Sequence, residues 1–469
     1  MRAAKGMCFV KIGAEETMLP DQVVGDLQRV GLISPSSSEL RSGLNSVTDD
    51  LSLFLPLLKS FNFRLVPQVR SGCPVHFCTG ILKLPSEISD AKGGDWITIP
   101  AGGQSETASS AALGCLGELA ERISLWTSGQ QDRRVFLKAE TQPEIEIARV
   151  LGLSRRQEDA AARQLKLDDT LRRSKVSSLG SVSNRRIKVR SLTDDREVQV
   201  PSIGVLFQEM EHQTGQRISF ASSVGCAVWH DRSGAREGAL LELVERDAVA
   251  QMWYNRLGIK YLPRVTLSKI ISAELVDFLI SQNREWALYS VSSDLDVHVV
   301  MAVSFEPGGL MAAFGSAAGW DIASACRSAI QEMLQSENAL LLMERAFPIE
   351  IDGESSPTKL PRQLDYARNK SILDDLPLKT APVADDASLY ERFDYEKLLK
   401  SCVERNIEIW EFDATRPDLE IPCIKLLSPD LCSWEPRFGK KRLYEGVVER
   451  GLREKPGTED EFSARPFPF

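Results

Sequence analysis

Pairs of glutamates three residues apart are the residues of this sequence best suited to chemistry. Glu242 and Glu245 are followed by Arg246, and Glu118 and Glu121 occur in the same arrangement upstream. Residues three apart in a helix project from the same face, so each pair presents two carboxylates side by side. Such a face could hold a hard cation, because hard cations prefer oxygen ligands.

A single pair of this kind is more often a solvated helical face than a metal site. Recurrence favours the metal site here, since both pairs follow segments rich in glycine and other small residues. A third acid, Glu332, follows the small-residue segment at 314–319. We therefore expect three loops of small residues, each leading into a helix that carries acids on one face.

The composition is typical of a soluble globular protein. The chain has 469 residues, 43% apolar and 26% charged, which predicts two or three domains. Its formal charge of −9 argues against a general nucleic-acid binder. No apolar run is long enough for a membrane span, and no signal-length run follows the first residues. Nine scattered cysteines fit a cytoplasmic protein with reduced thiols.

The segment Cys73-Pro74-Val75-His76-Phe77-Cys78 raises the question of a zinc knuckle. A closed zinc site needs a second pair of ligands at a suitable distance. The chain has only four histidines, and no convincing second pair completes the site. Buried thiols are therefore the favoured interpretation of these cysteines.

The segment patterns predict a fold of the α/β (α+β) class with mixed sheets and helices. Residues 1–82 are expected to form a small N-terminal module, winged-helix-like, which either binds a peptide or partner or is a packing appendage. Residues 83–469 are expected to form the main domain. The basic segment at 154–196 is expected to face an acidic partner or phosphates, or to be a solvated helical insertion. Residues 346–388 are expected to be an irregular linker or long surface loop.

Local periodicity also predicts individual elements of this fold. A helix is expected after Leu19-Pro20, closing on Gly31, and another from Leu51 to Phe61. Strands are expected at the following segments: 200–207, 287–291, 298–303, 407–412 and 421–427.

Several motifs, in this order, resemble the YcaO family. They are GELAER at 117–122, ELVERDA at 242–248, EMLQS at 332–336, TRPDL at 415–419 with the following IPCIKLLSP, and RPFPF at 465–469. The resemblance covers residues from about 85 to the end. Its details are most similar to the azoline-forming cyclodehydratase subunit of microcin B17-type synthetases.

The resemblance implies a YcaO-type fold around a site for ATP and Mg²⁺, in which acids from several helices hold the metal against the phosphates. The absence of a P-loop motif fits this expectation. By the resemblance, five residues would be metal and phosphate ligands: Glu118, Glu121, Glu242, Glu245 and Glu332. Arg246 and Arg327 would contact the nucleotide.

The implied reaction is ATP-dependent cyclodehydration of Cys, Ser or Thr residues in a ribosomally made precursor peptide. In azoline-forming relatives a proline-rich C-terminus reaches the active site, where its carboxylate assists proton transfer. Phe469 would supply that carboxylate, and Pro466 and Pro468 would stiffen its approach. The alternative for such a tail is a disordered end.

The sequence departs from the family pattern in places. Gly114 stands where the family commonly has Ser, and Ser328, next to Arg327, stands where it has Arg. Three polar nucleotide ligands are replaced by Ala227, His230 and Gly234. These departures indicate divergence within an active subtype or loss of ATP turnover.

Three functional classes are therefore open. The first is the cyclodehydratase, working with an E1-like leader-binding subunit and an FMN-dependent azoline dehydrogenase. The second is another ATP-using reaction of the family, thioamide or amidine formation. The third is a non-catalytic scaffold that recruits the peptide or partner subunits. None of the three requires nucleic acid or a membrane.

Overall fold

A computed structural model describes residues 7–12, 15–34, 47–85, 96–164, 179, 183–210, 217–218, 220–347, 360–384 and 387–469. The strands of this part are β1 (Met7–Ile12), β2 (Glu15–Pro20), β3 (Asn62–Gln68), β4 (His76–Pro85), β5 (Trp96–Ser105), β6 (Val135–Leu137), β7 (Arg185–Ser191), β8 (Glu197–Pro201), β9 (Glu209–Met210), β10 (Arg217–Ile218), β11 (Cys226–Val228), β12 (Ile259–Tyr261), β13 (Glu285–Val291), β14 (His298–Phe305), β15 (Ala313–Gly319), β16 (Trp410–Asp413) and β17 (Cys423–Leu427).

Helices alternate with these strands along the chain. They are α1 (Asp21–Arg29), α2 (Val47–Ser52), α3 (Leu55–Ser60), α4 (Ala108–Ser124), α5 (Ile147–Leu151), α6 (Arg155–Gln164), α7 (Arg232–Asn255), α8 (Arg264–Ile270), α9 (Ala273–Ser281), α10 (Ile322–Ala346), α11 (Arg362–Asn369), α12 (Ile372–Asp375), α13 (Tyr395–Glu404), α14 (Glu445–Glu449) and α15 (Glu459–Ser463).

Contacts divide the chain into two units. The first comprises Met1–Trp126, Cys226–Gly238 and Asp413–Ile424. The second comprises Thr127–Gly225, Ala239–Phe412 and Lys425–Phe469. The chain therefore passes between the units several times, and neither unit is one continuous stretch of sequence.

In the first unit, helix α4 packs on an antiparallel sheet of β3, β4 and β5. Thr107 caps the helix by accepting a hydrogen bond from the Ser110 N–H at 3.1 Å. The buried face of α4 is rich in alanine, so it can approach the sheet closely. A Cβ at Gly103 in β5 would lie 2.0 Å from the Ala111 carbonyl oxygen, so the helix packs on the bare strand backbone.

In the second unit, helix α10 packs on an antiparallel sheet ordered β12, β13, β14, β15. Asp321 caps this helix by accepting from the Ser324 N–H at 2.8 Å. Gly315 in β15 has the same role as Gly103, because a Cβ there would lie 2.3 Å from the Ala329 carbonyl oxygen. A long helix thus lies directly against strand backbone in each unit.

A further antiparallel arrangement in the second unit joins β6, β7 and β8, with Trp410 and Glu411 of β16 also pairing with β7. A hydrophobic core cluster in the same unit contains Ile147, Leu151 and Ile203, all buried. The described chain is therefore a mixture of helices and antiparallel sheets, which confirms the predicted fold class.

Most of the expected elements are present. Helix α1 ends before Gly31, which has a φ of +76°, and β13 and β14 contain the strands predicted at 287–291 and 298–303. The strand expected at 200–207 ends at Pro201 and continues as a 3₁₀ turn at Ser202–Gly204. Proline supplies no amide hydrogen, so the ladder stops there.

Regular secondary structure is present at the expected segment boundaries and within the expected linker. Residue 82 falls inside β4, whose sheet continues to β5, and the described part of the 346–388 segment contains α11 and α12. Much of the basic segment at 154–196 lies outside the described residues, but α6 and β7 occupy its two ends. Among the helices described, none is long and apolar enough to cross a membrane.

Substitution of Gly103 tests whether close helix–strand packing holds the first unit together. Gly103→Ala should destabilise the protein by roughly 1 to 3 kcal/mol, because the new Cβ forces α4 off the strand. Gly117→Ala is the matched control: a Cβ there meets nothing within 4 Å, and alanine in a helix interior should stabilise by about 0.5 to 1 kcal/mol. Thermal unfolding measures both, and equal melting temperatures for the two variants would contradict the packing argument.

Candidate active site

The central element of the second unit's acid cluster is helix α7. Its apolar residues are buried on most of its circumference, among them Leu240, Val244 and Val249. A helix buried on nearly all sides leaves little solvent for its charged residues, so those charges need partners within the protein. Glu245 and Arg246 are such residues, with side chains 9% and 13% exposed.

Two of the glutamates share Ser316 in β15. Its hydroxyl donates to Glu245 Oε1 at 2.6 Å, and its backbone N–H donates to Glu332 Oε2 at 3.2 Å. Burial raises the pKa of Glu245, although Arg246 and the Ser316 hydroxyl oppose the shift. Burial, reinforced by the charge of Glu245, raises the pKa of Glu332 to about 8. Both shifts favour the protonated, uncharged forms of these carboxyls.

Arg246 lies among these acids. Its guanidinium bonds to Glu245, and Nη2 donates to Glu242 Oε1 at 3.1 Å. Burial acts to lower the pKa of Arg246, but Glu245, Glu242 and Glu332 outweigh it and the pKa is raised. Within the described residues the buried Nε of Arg246 has no hydrogen-bond partner. One donor of this cation is thus available for a further anionic oxygen.

An aromatic ring packs against the Arg246 guanidinium. Its guanidinium carbon lies 3.6 Å from the centroid of the Trp434 ring, a close cation–π contact. Glu242 completes the cluster by accepting from the Gly225 N–H at 2.9 Å. Helices α7 and α10 thus supply three carboxylates and one guanidinium, and the segment at 434 supplies one indole.

The first unit holds its acids in the same manner. Glu118 of α4 accepts from the Gly102 N–H at 2.5 Å and forms an ion pair with Arg122. Glu121 accepts from the Val228 N–H at 3.2 Å. In Glu118, Glu242 and Glu332 alike, the carboxylate accepts an amide hydrogen from the small-residue segment that precedes its own helix.

The C-terminal tail lies in an aromatic pocket of the second unit. The Phe467 ring stacks on Trp434 with centroids 4.8 Å apart and 12° between the planes. The Phe469 ring stacks on Phe314 at 5.2 Å and 15°. Trp253 meets both tail rings edge-on, and Phe467 is only 3% exposed. The tail is therefore packed as part of this unit.

Backbone bonds fix the same tail. Trp253 Nε1 donates to the Arg465 carbonyl at 3.0 Å, and Arg362 donates to the Phe467 carbonyl. The Phe467 N–H donates to the Tyr254 hydroxyl at 3.4 Å. Trp253 and Tyr254 belong to α7, so the helix that carries Glu242, Glu245 and Arg246 also anchors the tail.

The structure brings together four of the predicted site residues in the second unit: Glu242, Glu245, Arg246 and Glu332. Glu118 and Glu121 belong to the first unit. Arg327 is exposed on α10, and Ser328, four residues before Glu332, shares the helical face of that acid. Pro466, Pro468 and Phe469 belong to the packed tail described above.

The three positions that depart from the family pattern lie in the first unit. Ala227 faces Gly238, and His230 lies 3.4 Å from Asp50. At Gly234 the indole of Trp229 occupies the space that a side chain would fill, because an added Cβ would be 2.0 Å from its Cδ1. Trp229 is 55% exposed. An accessible aromatic ring thus lies at a position where the resemblance implies a polar group.

The residues fit Mg²⁺ and a nucleotide by their chemistry. Carboxylate oxygens are the ligands that Mg²⁺ prefers, and burial raises the pKa values of Glu245 and Glu332, so a bound cation would stabilise their ionised forms. As arranged, the described residues contain no group of three or more acids, histidines or cysteines placed to hold a metal ion. In this arrangement the carboxylates bond to Arg246 and to backbone N–H groups.

Sequence reasoning did not find several residues of this cluster. Ser316 could have been found, since it lies within the small-residue segment before Glu332. Trp434 and the pocket residues Trp253 and Tyr366 carry no local signal, because their proximity to the tail arises only on folding. Cys78 is buried, as the thiol interpretation expects, whereas Cys73 is only partly buried.

Solved structures share the fold. A heterocyclase in complex with substrate and cofactor is 19% identical with a TM-score of 0.70, over 97% of this chain and 63% of that chain. The heterocyclase TruD is 22% identical with a TM-score of 0.58, over 78% and 51%. This chain thus spans less than two thirds of either protein. The E. coli microcin synthetase McbBCD complex contains a chain that is 14% identical, with a TM-score of 0.54 over 87% and 96%.

The sequence comparison identifies the family. No curated protein gives a significant match to the chain. The family model described as YcaO cyclodehydratase, ATP- and Mg²⁺-binding, matches residues 102–432, which is well over half of the chain. The matched region contains both glutamate pairs, Glu332 and Trp229. The expectation of ATP and Mg²⁺ is thereby confirmed, and the chain belongs to the YcaO family.

Proposed function

We propose that this protein is an ATP-dependent cyclodehydratase that forms thiazolines or oxazolines in a ribosomally made precursor peptide. The observation that carries the proposal is the buried cluster of Glu242, Glu245, Glu332 and Arg246 in a YcaO domain. Its carboxylates outnumber its cation, and burial raises the pKa values of two of them. A structural ion pair would instead be balanced in charge.

The proposed reaction couples ring closure in the peptide to cleavage of ATP. The side-chain sulfur or oxygen of a Cys, Ser or Thr bonds to the preceding amide carbon, and its proton leaves. The amide oxygen takes the γ-phosphoryl group of ATP, which releases ADP. Phosphate then departs with that oxygen as the amide nitrogen loses its proton, and the ring gains a carbon–nitrogen double bond. Phosphorylation is needed because an unmodified amide oxygen is a poor leaving group.

The chain's own residues have distinct roles in this proposal. When bound, Mg²⁺ neutralises charge on the phosphates, as phosphoryl transfer generally requires. Glu242, Glu245 and Glu332 would hold it, and Arg246 would donate from its unpartnered Nε to a phosphate oxygen. The low exposure of Glu245 and Arg246 would strengthen each of these interactions by excluding water.

Glu118, Glu121 and Arg327 are proposed as further nucleotide-site residues from their positions in the family motifs. The support for the two glutamates is that each accepts a backbone N–H, as Glu242 and Glu332 do. For the tail, we propose that the Phe469 carboxylate accepts or returns a proton during ring closure. Pro466 and Pro468 would restrict the approach of that carboxylate, and the packed rings of Phe467 and Phe469 would hold it.

The partners proposed are the precursor peptide, an E1-like leader-binding subunit and an FMN-dependent azoline dehydrogenase. One solved heterocyclase with this fold is in complex with substrate and cofactor, and another chain with this fold belongs to the E. coli microcin synthetase McbBCD complex. These relatives support a peptide substrate and a multi-subunit assembly for this chain.

Neutralising Glu245 tests the nucleotide site. Glu245→Gln should lower ATP turnover at least about 100-fold, because it removes a charged metal ligand. The fold should survive, since burial already favours the uncharged form of this side chain. Turnover is measured as phosphate release and the fold by melting temperature. Glu344→Gln, at a partly exposed acid of α10, should leave turnover unchanged. Wild-type turnover in Glu245→Gln would refute the site.

The raised pKa of Glu332 predicts how stability depends on pH in the ligand-free protein. Between the ordinary value of 4.5 and about 8 the folded protein binds a proton that the unfolded chain does not. The contribution of the Glu332 carboxyl to folding stability is therefore fully present below about pH 4.5 and is lost as pH rises through about 8.

Thermal unfolding from about pH 5 to pH 8 should show this fall in the wild type and a flatter profile in Glu332→Gln. Saturating Mg-ATP should reduce the fall, because a bound cation favours the ionised carboxylates. Glu344→Gln should keep the wild-type slope. An unchanged slope in Glu332→Gln would show that this carboxyl is not the group responsible.

Removing the tail tests its catalytic role. Deletion of residues 466–469 should lower ring formation about 100-fold, the size of a general acid–base contribution, and weaken Mg-ATP binding less than about tenfold. Loss of water from a Cys-, Ser- and Gly-rich precursor peptide measures the first, and calorimetry the second. Appending one glycine after Phe469 moves the carboxylate but keeps the rings, and should also impair ring formation. Normal ring formation in both variants would exclude the tail from the chemistry.

A further inference from the structure

Trp434 contacts both the arginine of the acid cluster and the C-terminal tail. The Arg246 guanidinium lies 3.6 Å from the centroid of its ring, and the Phe467 ring stacks on it at 4.8 Å with planes 12° apart. Two groups of normal van der Waals thickness cannot share one face of an indole at these distances. Arg246 and Phe467 therefore occupy opposite faces of Trp434.

The position of Trp434 is itself set by the tail's anchor. The Tyr254 hydroxyl donates to the Trp434 carbonyl at 2.7 Å and accepts the Phe467 N–H at 3.4 Å. One side chain of α7 thus joins the backbone of Trp434 to the backbone of the tail. Phe467 therefore contacts the ring of Trp434 directly and its main chain through the Tyr254 hydroxyl.

The Trp434 ring adds to the contacts that orient Arg246. Its two Nη atoms bond to Glu242 and Glu245, but within the described residues its buried Nε has no partner. The indole face restrains rotation of the guanidinium plane and keeps that Nε–H aimed in one direction. A cation–π contact at a largely desolvated site is strong enough to hold such a side chain.

We infer that Trp434 is a positioning residue that couples seating of the C-terminal tail to the orientation of Arg246. The inference rests on the proposed function, and it gives the tail a second role beside proton transfer. Without the seated tail, the Trp434 ring would lose its Phe467 contact and would hold the Arg246 guanidinium less firmly. The affinity for Mg-ATP would then depend on whether the tail is seated.

A double-mutant cycle tests this coupling. Trp434→Leu and deletion of residues 466–469 should each weaken Mg-ATP binding about fivefold to tenfold, and the two together no more than either alone. Trp434→Phe should restore most of the affinity, because it keeps an aromatic face. Calorimetry gives the dissociation constants, and melting temperatures confirm folding. Additive losses in the double variant would overturn the coupling.

The matched control is a second arginine–tryptophan pair in the same unit. Arg264 lies 5.1 Å from the Trp286 ring, away from the acid cluster in sequence and without a tail contact among those described. Trp286→Leu should leave Mg-ATP affinity unchanged and combine additively with the tail deletion. Coupling of equal size in this control would show a general loss of stability and would overturn the role of Trp434.

A readout without nucleotide separates this inference from the proposed function. Phenylglyoxal modification of Arg246, located by peptide mass, should accelerate in Trp434→Leu and in the tail deletion to the same extent, with no further rise in the double variant. Faster modification in only one of the single variants would refute the coupling. Failure of the wild type to bind Mg-ATP, with the coupled modification pattern intact, would refute the proposed function and leave the coupling standing.

Discussion

The arrangement of the acids depends on backbone amides that donate to glutamates of a following helix. Gly102, Gly225 and Ser316 supply these N–H groups, at 2.5, 2.9 and 3.2 Å from their carboxylates. Such a bond needs the helix to lie almost on the strand backbone. Small residues permit that approach, and a Cβ at Gly103 or Gly315 would collide with helix carbonyls. Packing between small residues is therefore a condition for placing the charges.

Helix α7 brings together features that the chain carries far apart. Its middle bears the acid cluster and its last turns bear Trp253 and Tyr254, which bind the tail. A rigid helix transmits position over its length, because its backbone bonds are satisfied internally. The tail is thereby held in register with Glu245 and Arg246 in the same unit. Burial of α7 on most sides makes that register stable but leaves its charges poorly solvated.

The sequence predicted more of the local structure than of the contacts. Spacing alone placed the acid pairs on helices, and the small-residue segments before them do lie in or beside strands. The bonding partner of each glutamate depends on which strand its helix packs against, which no local pattern encodes. Trp434 illustrates the limit. It lies far along the chain from Arg246 and within no motif, and only folding brings the two together.

Burial raises the pKa values of two acids in the second unit, Glu245 and Glu332. A protonated Glu332 removes one negative charge, and Arg246 neutralises part of the rest. The ligand-free protein therefore tolerates the cluster as partly neutral groups. Binding of a cation exchanges those protons for metal, so affinity for the metal and the proton are linked. Residues that position Arg246 consequently influence how readily the whole cluster gives up its protons.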